Sequence, residues 1–225
     1  MTPRFFLRTI LLGLCLANAA AYSASPVDSS VAPLKQITPK IFEIGSIQLN
    51  KENKTIKFPA SVNMTNGAVE YVLVTGTGKL HESIFKTETE PSQIHVAMLL
   101  LGATGAGTNI AGDKFAMDVS WKNGAVEKHL RAEEFIFNSK SKSAMSKEIW
   151  IYNGSKVIDG TFIAQRDGSI VSIISDPLAL ANCLQPDRDN DEIWFVNTNA
   201  IPPLNTKVEV TFKLEGAQEK AKDTK

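Results

Sequence analysis

The segment Gly76-Thr77-Gly78-Lys79-Leu80-His81-Glu82-Ser83 places a cation, an imidazole, a carboxylate and a hydroxyl between Lys79 and Ser83. Groups of these types move protons or grip a polar ligand, so Lys79, His81, Glu82 and Ser83 are the leading binding candidates. The stretch is not a phosphate-binding loop: Leu73 and Leu80 stand where that motif needs Gly and Ser or Thr. A polar loop whose His81 bonds locally explains the same residues with no ligand. His95 joins the set because it falls in the first turn of a predicted helix, where the positive dipole end disfavours a protonated ring. If the strand between them turns back, His81, Glu82 and His95 make a two-histidine, one-carboxylate set, the minimum for a metal with open positions. That set suits zinc, and Met98, three residues after His95, shifts the preference toward copper. With 3 histidines in the chain and no fixed metal spacing, a satisfied core histidine is the favoured account of His95.

Other chemistry-bearing residues carry less. Gly102, Gly105, Gly107 and Gly112 offer backbone amides to an anion, but they follow a helix, whereas a dinucleotide loop opens one. Asp187, Asp189 and Asp191 alternate as in a calcium loop, yet Glu192 replaces the turn glycine and Thr198 the bidentate acid. Cys183 has no Cys-x-x-Cys neighbour, which excludes haem attachment and an iron–sulfur cluster within one chain, and it reads as an inert buried thiol.

These residues must be held by a fold, and the chain predicts one that is mainly β (α+β). Ile56, Phe58, Ala60 and Val62 alternate with Lys57, Pro59 and Ser61, a half-buried strand that Pro59 assigns to a sheet edge. Asn66-Gly67 predicts a hairpin turn joining it to Val69–Val74. Phe115, Met117, Val119 and Trp121, then Asn123-Gly124, then residues 125–131 predict a second hairpin. Short apolar runs between Asn153-Gly154, Asp159-Gly160 and Asp167-Gly168 read as a meander over 149–174, with Phe162 to Gln165 as one of its strands. Strands at 193–196 and 208–214 complete a sandwich-like body. Two helices interrupt it. One is buried, over about 91–101, opened by Pro91 and ended by Gly102; the other is short, over about 177–183, capped by Asp176.

The ends set the expected address. Arg4 and Arg8, an apolar stretch from Ile10 to Ala19 and small residues beyond it predict a cleaved export signal over 1–21, with cleavage after Ala21 favoured over Ala24. The stretch is shorter than the roughly 20 residues that span a bilayer. Residues 22–36 read as a flexible spacer, 37–214 as one domain and 215–225 as a disordered tail. Cleavage removes Cys15 and leaves Cys183 alone, so no disulfide forms within a mature chain. It also leaves 22 Lys and Arg against 24 Asp and Glu, and this net charge of −2 without a basic stripe argues against a nucleic-acid partner. The expected product is a soluble periplasmic domain with no membrane span.

Gly78 to Ser83, Ser92 to Gly102 (SQIHVAMLLLG), Asn153-Gly154-Ser155 and Ser175-Asp176-Pro177 together resemble the YdjY family of exported bacterial proteins, over roughly Gly45 to Val210. The resemblance implies a periplasmic location and one compact domain, and implies no activity, because the family is uncharacterised. The first expectation is therefore a non-catalytic binding or accessory domain for an unknown ligand or protein partner, with Lys79, His81, Glu82, Ser83 and His95 lining its site. The alternatives are a metal-dependent or acid/base enzyme using His81, Glu82 and His95, and a structural partner in an envelope or redox assembly.

Overall fold

Residues 55–62 and 207–214 alternate apolar and polar side chains, and they lie side by side in antiparallel register, Phe58 opposite Val210 and Ile56 opposite Phe212. The structure, a computed structural model, describes residues 32–105, 112–147 and 150–215. The predicted export signal, most of the predicted spacer and all but Glu215 of the predicted tail lie outside the described residues.

In chain order the first strands are β1 (Leu34–Gln36), β2 (Ile41–Ile44), β3 (Ile47–Asn50), β4 (Thr55–Val62), β5 (Tyr71–Thr75) and β6 (Ser83–Thr87). Helix α1 (Pro91–Leu100) follows, then β7 (Asp113–Asn123), β8 (Val126–Arg131), β9 (Ile136–Asn138), β10 (Ser143–Ala144) and β11 (Trp150–Tyr152). The small strands β12 (Val157–Ile158) and β13 (Thr161–Phe162) lead into helix α2 (Ile163–Asp167). The chain ends with β14 (Ser169–Ser172), β15 (Ala181–Cys183), β16 (Trp194–Val196) and β17 (Lys207–Leu214).

The body is a closed barrel rather than the predicted sandwich. Strands pair in the order β4, β17, β7, β11, β15, β14, β5, β6, and a short pairing of β6 with β4 (Ser61 opposite Lys86, Val62 opposite Phe85) shuts the ring. Alternation requires an apolar interior; it does not say whether a second sheet or the far side of the same sheet supplies the opposing face. Here Phe58 and Phe115 both pack on Phe212, with ring centroids 5.3 and 4.7 Å away. The outward positions of β4 and β17 are Lys57, Pro59, Lys207, Glu209 and Lys213, so this barrel is apolar within and polar without. Among the described residues, no helix is long and apolar enough to cross a membrane.

Several local expectations are corrected. Strand β4 is not an edge: β17 flanks it on one side, and β3 and β6 on the other. Pro59 is tolerated because it falls between the residues that pair with β3 (55–57) and with β6 (61–62), where the Pro59 carbonyl accepts the Thr87 hydroxyl at 2.6 Å. Strands β4 and β5 do not form the predicted hairpin. The Asn63 and Met64 amides donate to Ile84 O, and the Asn66-Gly67 turn lies beside β16, through Val196 N to Gly67 O and Val69 N to Trp194 O. The second hairpin forms as predicted, with Asn123 opposite Val126. The Asp159-Gly160 turn also forms, joining β12 to β13. Residues 149–174 are not a meander, because β11 pairs with β7 and β15, and β14 with β5 and β15. Where a strand was expected to Gln165, α2 forms and ends on Gly168 at φ +69°.

Helix α1 forms where it was predicted, but it buries one face rather than its whole circumference, and it ends in a Schellman arrangement: Ala103 N donates to Met98 O and Gly102 N to Leu99 O. Ile94, Ala97 and Met98 join the core, while Leu99 stays 46% exposed. The helix predicted over 177–183 is absent. Asp176 Oδ1 does accept from Leu178 N at 2.9 Å, but as a turn, and Ala181–Cys183 is strand β15.

Candidate functional site

Strands β5 and β6 run parallel, as do β14 and β15. Parallel neighbours ordinarily need a crossover of about a dozen residues or more. Here residues 76–82 and 173–180 make these returns, so each connection lies close against the strand it leaves and needs its own polar pins. Two of the segments carrying the family resemblance, Gly78 to Ser83 and Ser175-Asp176-Pro177, fall on these connections, while Ser92 to Gly102 is helix α1 and Asn153-Gly154-Ser155 follows β11.

In the first, Lys79 Nζ reaches back to Glu70 Oε2 at 3.2 Å and forward to Glu82 Oε1 at 3.0 Å, and sits 5.0 Å from the Tyr71 ring centre. Ser83, fully buried, donates its hydroxyl to Lys79 O, and Asn63 Nδ2 donates to Leu80 O and Ser83 O. Gly78 has no room for a side chain, because a Cβ there would lie 2.8 Å from Val74 Cβ. Burial pulls the Lys79 ammonium down, but its bonds to Glu82 and Glu70 outweigh that and raise its pKa. Burial and the neighbouring Glu82 carboxylate raise the Glu70 carboxyl. The structure thus brings Lys79, Glu82 and Ser83 together, with their polar groups already engaged by the protein. His81 stands at the surface, its side chain 80% exposed and Nε2 3.6 Å from Glu82 Oε2.

In the second, Asn182 donates from Nδ2 to Asn153 Oδ1 at 2.6 Å and to Asp176 O at 2.8 Å, and its Oδ1 accepts from Asp176 N at 2.8 Å. Asn153 Nδ2 donates to Ala179 O at 2.8 Å, and the Ser155 hydroxyl donates to Leu178 O while accepting from Ala164 N. Tyr71 links the two connections by donating its hydroxyl to Asp176 Oδ2 at 3.1 Å; burial and the Asp176 charge push its pKa up to about 12. Asn153 and Asp176-Pro177, distant in sequence, are therefore joined in one network centred on the buried Asn153 and Asn182.

His95 lies elsewhere. Among the described residues no three His, Cys, Asp or Glu side chains converge to hold a metal, so His81, Glu82 and His95 do not form the proposed ligand set. His95 is the fifth residue of α1, beyond the first turn, and burial is what lowers its pKa and favours the neutral ring. Its Nδ1 is 2.5 Å from the Tyr152 hydroxyl, and its ring centre is 5.0 Å from that of Phe162. Burial raises the Tyr152 pKa, so the phenol stays protonated.

Beside this pair is a cavity of about 230 Å³, lined by His95, Leu99, Gly154, Lys156, Val157 and Phe162 among others. Two backbone features shape it. Gly154 adopts φ +81°, and a Cβ there would stand 3.5 Å from His95 Cε1. Gly105 packs so closely that a Cβ would lie 2.7 Å from Asn153 O. Sequence reasoning found His95 but missed Tyr152, Lys156 and Phe162. Asn153-Gly154 registered only as a turn, and nothing in spacing joins His95 to a tyrosine 57 residues away. Larger hollows of about 390 to 610 Å³ lie around Trp121 and Lys207. Charged side chains line them, and Lys57 and Glu209 there already pair at 2.8 Å.

No curated protein and no solved structure matches the chain. The YdjY domain matches residues 47–213, a span from β3 to the penultimate residue of β17 that includes both parallel connections and the His95 cavity. The chain belongs to the YdjY family.

Proposed function

We propose that this protein is an exported, non-catalytic binding domain whose ligand occupies the cavity beside His95. The observation that carries the reading is a neutral imidazole, held by Tyr152, lining a cavity that also exposes the apolar side chains of Leu99, Val157 and Phe162. The neighbouring groups favour binding over catalysis. Among the described residues that line the cavity, Ser155 carries the one hydroxyl, and its oxygen is engaged as donor and acceptor within the protein, so it is not free for His95 to activate. The phenol of Tyr152 is held protonated.

The test is a fragment-library titration of the mature chain followed on the carbon-bound ring protons of His95. A subset of compounds should shift these resonances and be recovered unchanged. A library that leaves His95 unmoved, or a compound that is turned over, defeats the reading. Export is checked separately: cell fractionation should place the chain in the periplasm with Tyr22 as its first residue, and an uncleaved cytoplasmic chain would contradict it.

A further inference from the structure

The polar groups left open at the His95 cavity indicate what it takes. Asn153 is saturated by Asn182, Ala179 O and Pro177 O, the Ser155 hydroxyl by Leu178 O and Ala164 N, and the Gly154 amide by Leu180 O. Two handles remain among the described residues: Nε2 of His95, and the ammonium of Lys156, which has no carboxylate within ion-pair distance. No acidic residue is among the described residues that line the cavity. Its remaining wall is apolar and partly wet, with Leu99 46% and Val157 68% exposed, so a ligand would cover hydrocarbon that the protein leaves in water. At about 30 Å³ per water-sized group, the volume of about 230 Å³ holds about eight non-hydrogen atoms.

Resting on the binding reading above, we propose that the cavity takes a small apolar monocarboxylic acid, with its carboxylate at Lys156 and His95 and its hydrocarbon against Leu99, Val157 and Phe162. The charge fits one anionic head, because a single cation faces no competing acid. The volume matches a tail the size of benzoate or hexanoate. A dianion would bring a second charge to a site with one cation and an apolar wall.

Benzoate and benzamide, alike in shape and different in charge, test this on the mature chain by following His95 ring resonances. Benzoate should bind about tenfold more tightly than benzamide, as a charge-assisted bond contributes more than a neutral one. In Lys156→Met that preference should vanish while benzamide binding is unchanged. A second variant, Leu99→Glu, removes an apolar contact and places a negative charge on the exposed rim, so it should weaken both ligands and benzoate the more, reversing the preference to favour benzamide. If benzamide binds as tightly as benzoate, or Lys156→Met keeps the preference, the carboxylate assignment is wrong and the cavity remains a binding site for a neutral ligand. If neither compound nor hexanoate moves His95, the carboxylate assignment is overturned. The broader binding reading is then decided by the fragment titration.

Discussion

At the scale of single residues, burial sets the behaviour of the two groups most suited to chemistry. His95 has a folded pKa below its unfolded value of about 6.5. Above that pH both states are neutral and the full stability is present. As pH falls, the unfolded chain takes the proton first, so stability is lost through the interval between the two values. Glu70 opposes this at lower pH, because a carboxyl whose folded pKa is raised favours folding as pH drops. Comparison with His95→Gln isolates the histidine. Urea midpoints of the parent should fall from pH 7 to pH 5 more steeply than those of the variant, and equal slopes would show that His95 is not buried as described. Cys183 is fully buried, and desolvation pushes its thiol up to about 12. With the thiolate as the nucleophile, alkylation of the folded chain at neutral pH should run on the order of a thousandfold slower than in urea. Prompt labelling of the native chain would contradict that placement.

At the scale of elements, the two parallel connections explain why Gly78 to Ser83 and Ser175-Asp176-Pro177 are polar without forming an open site. Each return is too short to contain a helix of useful length, so side chains replace helix packing as the means of holding it. The contributions differ with burial. Asn182→Ala would leave Asp176 N and Asn153 Oδ1 without partners in the interior, and should destabilise by about 1–3 kcal/mol. Lys79→Met removes two ion pairs from a side chain 48% exposed and should cost less than about 1 kcal/mol. Denaturant unfolding of both variants ranks them, and a Lys79 effect equal to that of Asn182 would reverse the roles assigned here.

At the scale of the molecule, closure of the barrel makes a single interior. Phe212 touches Phe58 from a strand on one side and Phe115 from a strand on the other, so it joins three consecutive staves. Phe212→Ala should lower unfolding stability by about 3–5 kcal/mol, the cost of a large cavity in a core that cannot collapse around it. A loss under about 1 kcal/mol would mean that these rings do not share a close-packed centre.

Much of this was legible in the chain by itself. The alternation in β4, β7 and β17 marked buried faces because a strand's side chains point alternately to its two sides. Pro91 and Gly102 bounded α1 because each acts on the backbone next to it. The turns at Asn123-Gly124 and Asp159-Gly160 formed for the same local reason. What the tertiary structure alone decided was partnership. Asp176 makes its capping bond whether a helix or a strand follows, and the pairing of Ala181–Cys183 with β11 and β14 settles which. Asn66-Gly67 turns as its residues require, yet β6 takes the place beside β4 that a hairpin would have given β5. Lys79 and His95, close in sequence, part because the residues between them close one strand and begin a helix, while Tyr152 arrives at His95 from across the barrel. Periodicity and turn chemistry are written within a few residues; which strand lies beside which depends on contacts between residues far apart, and no local pattern encodes them.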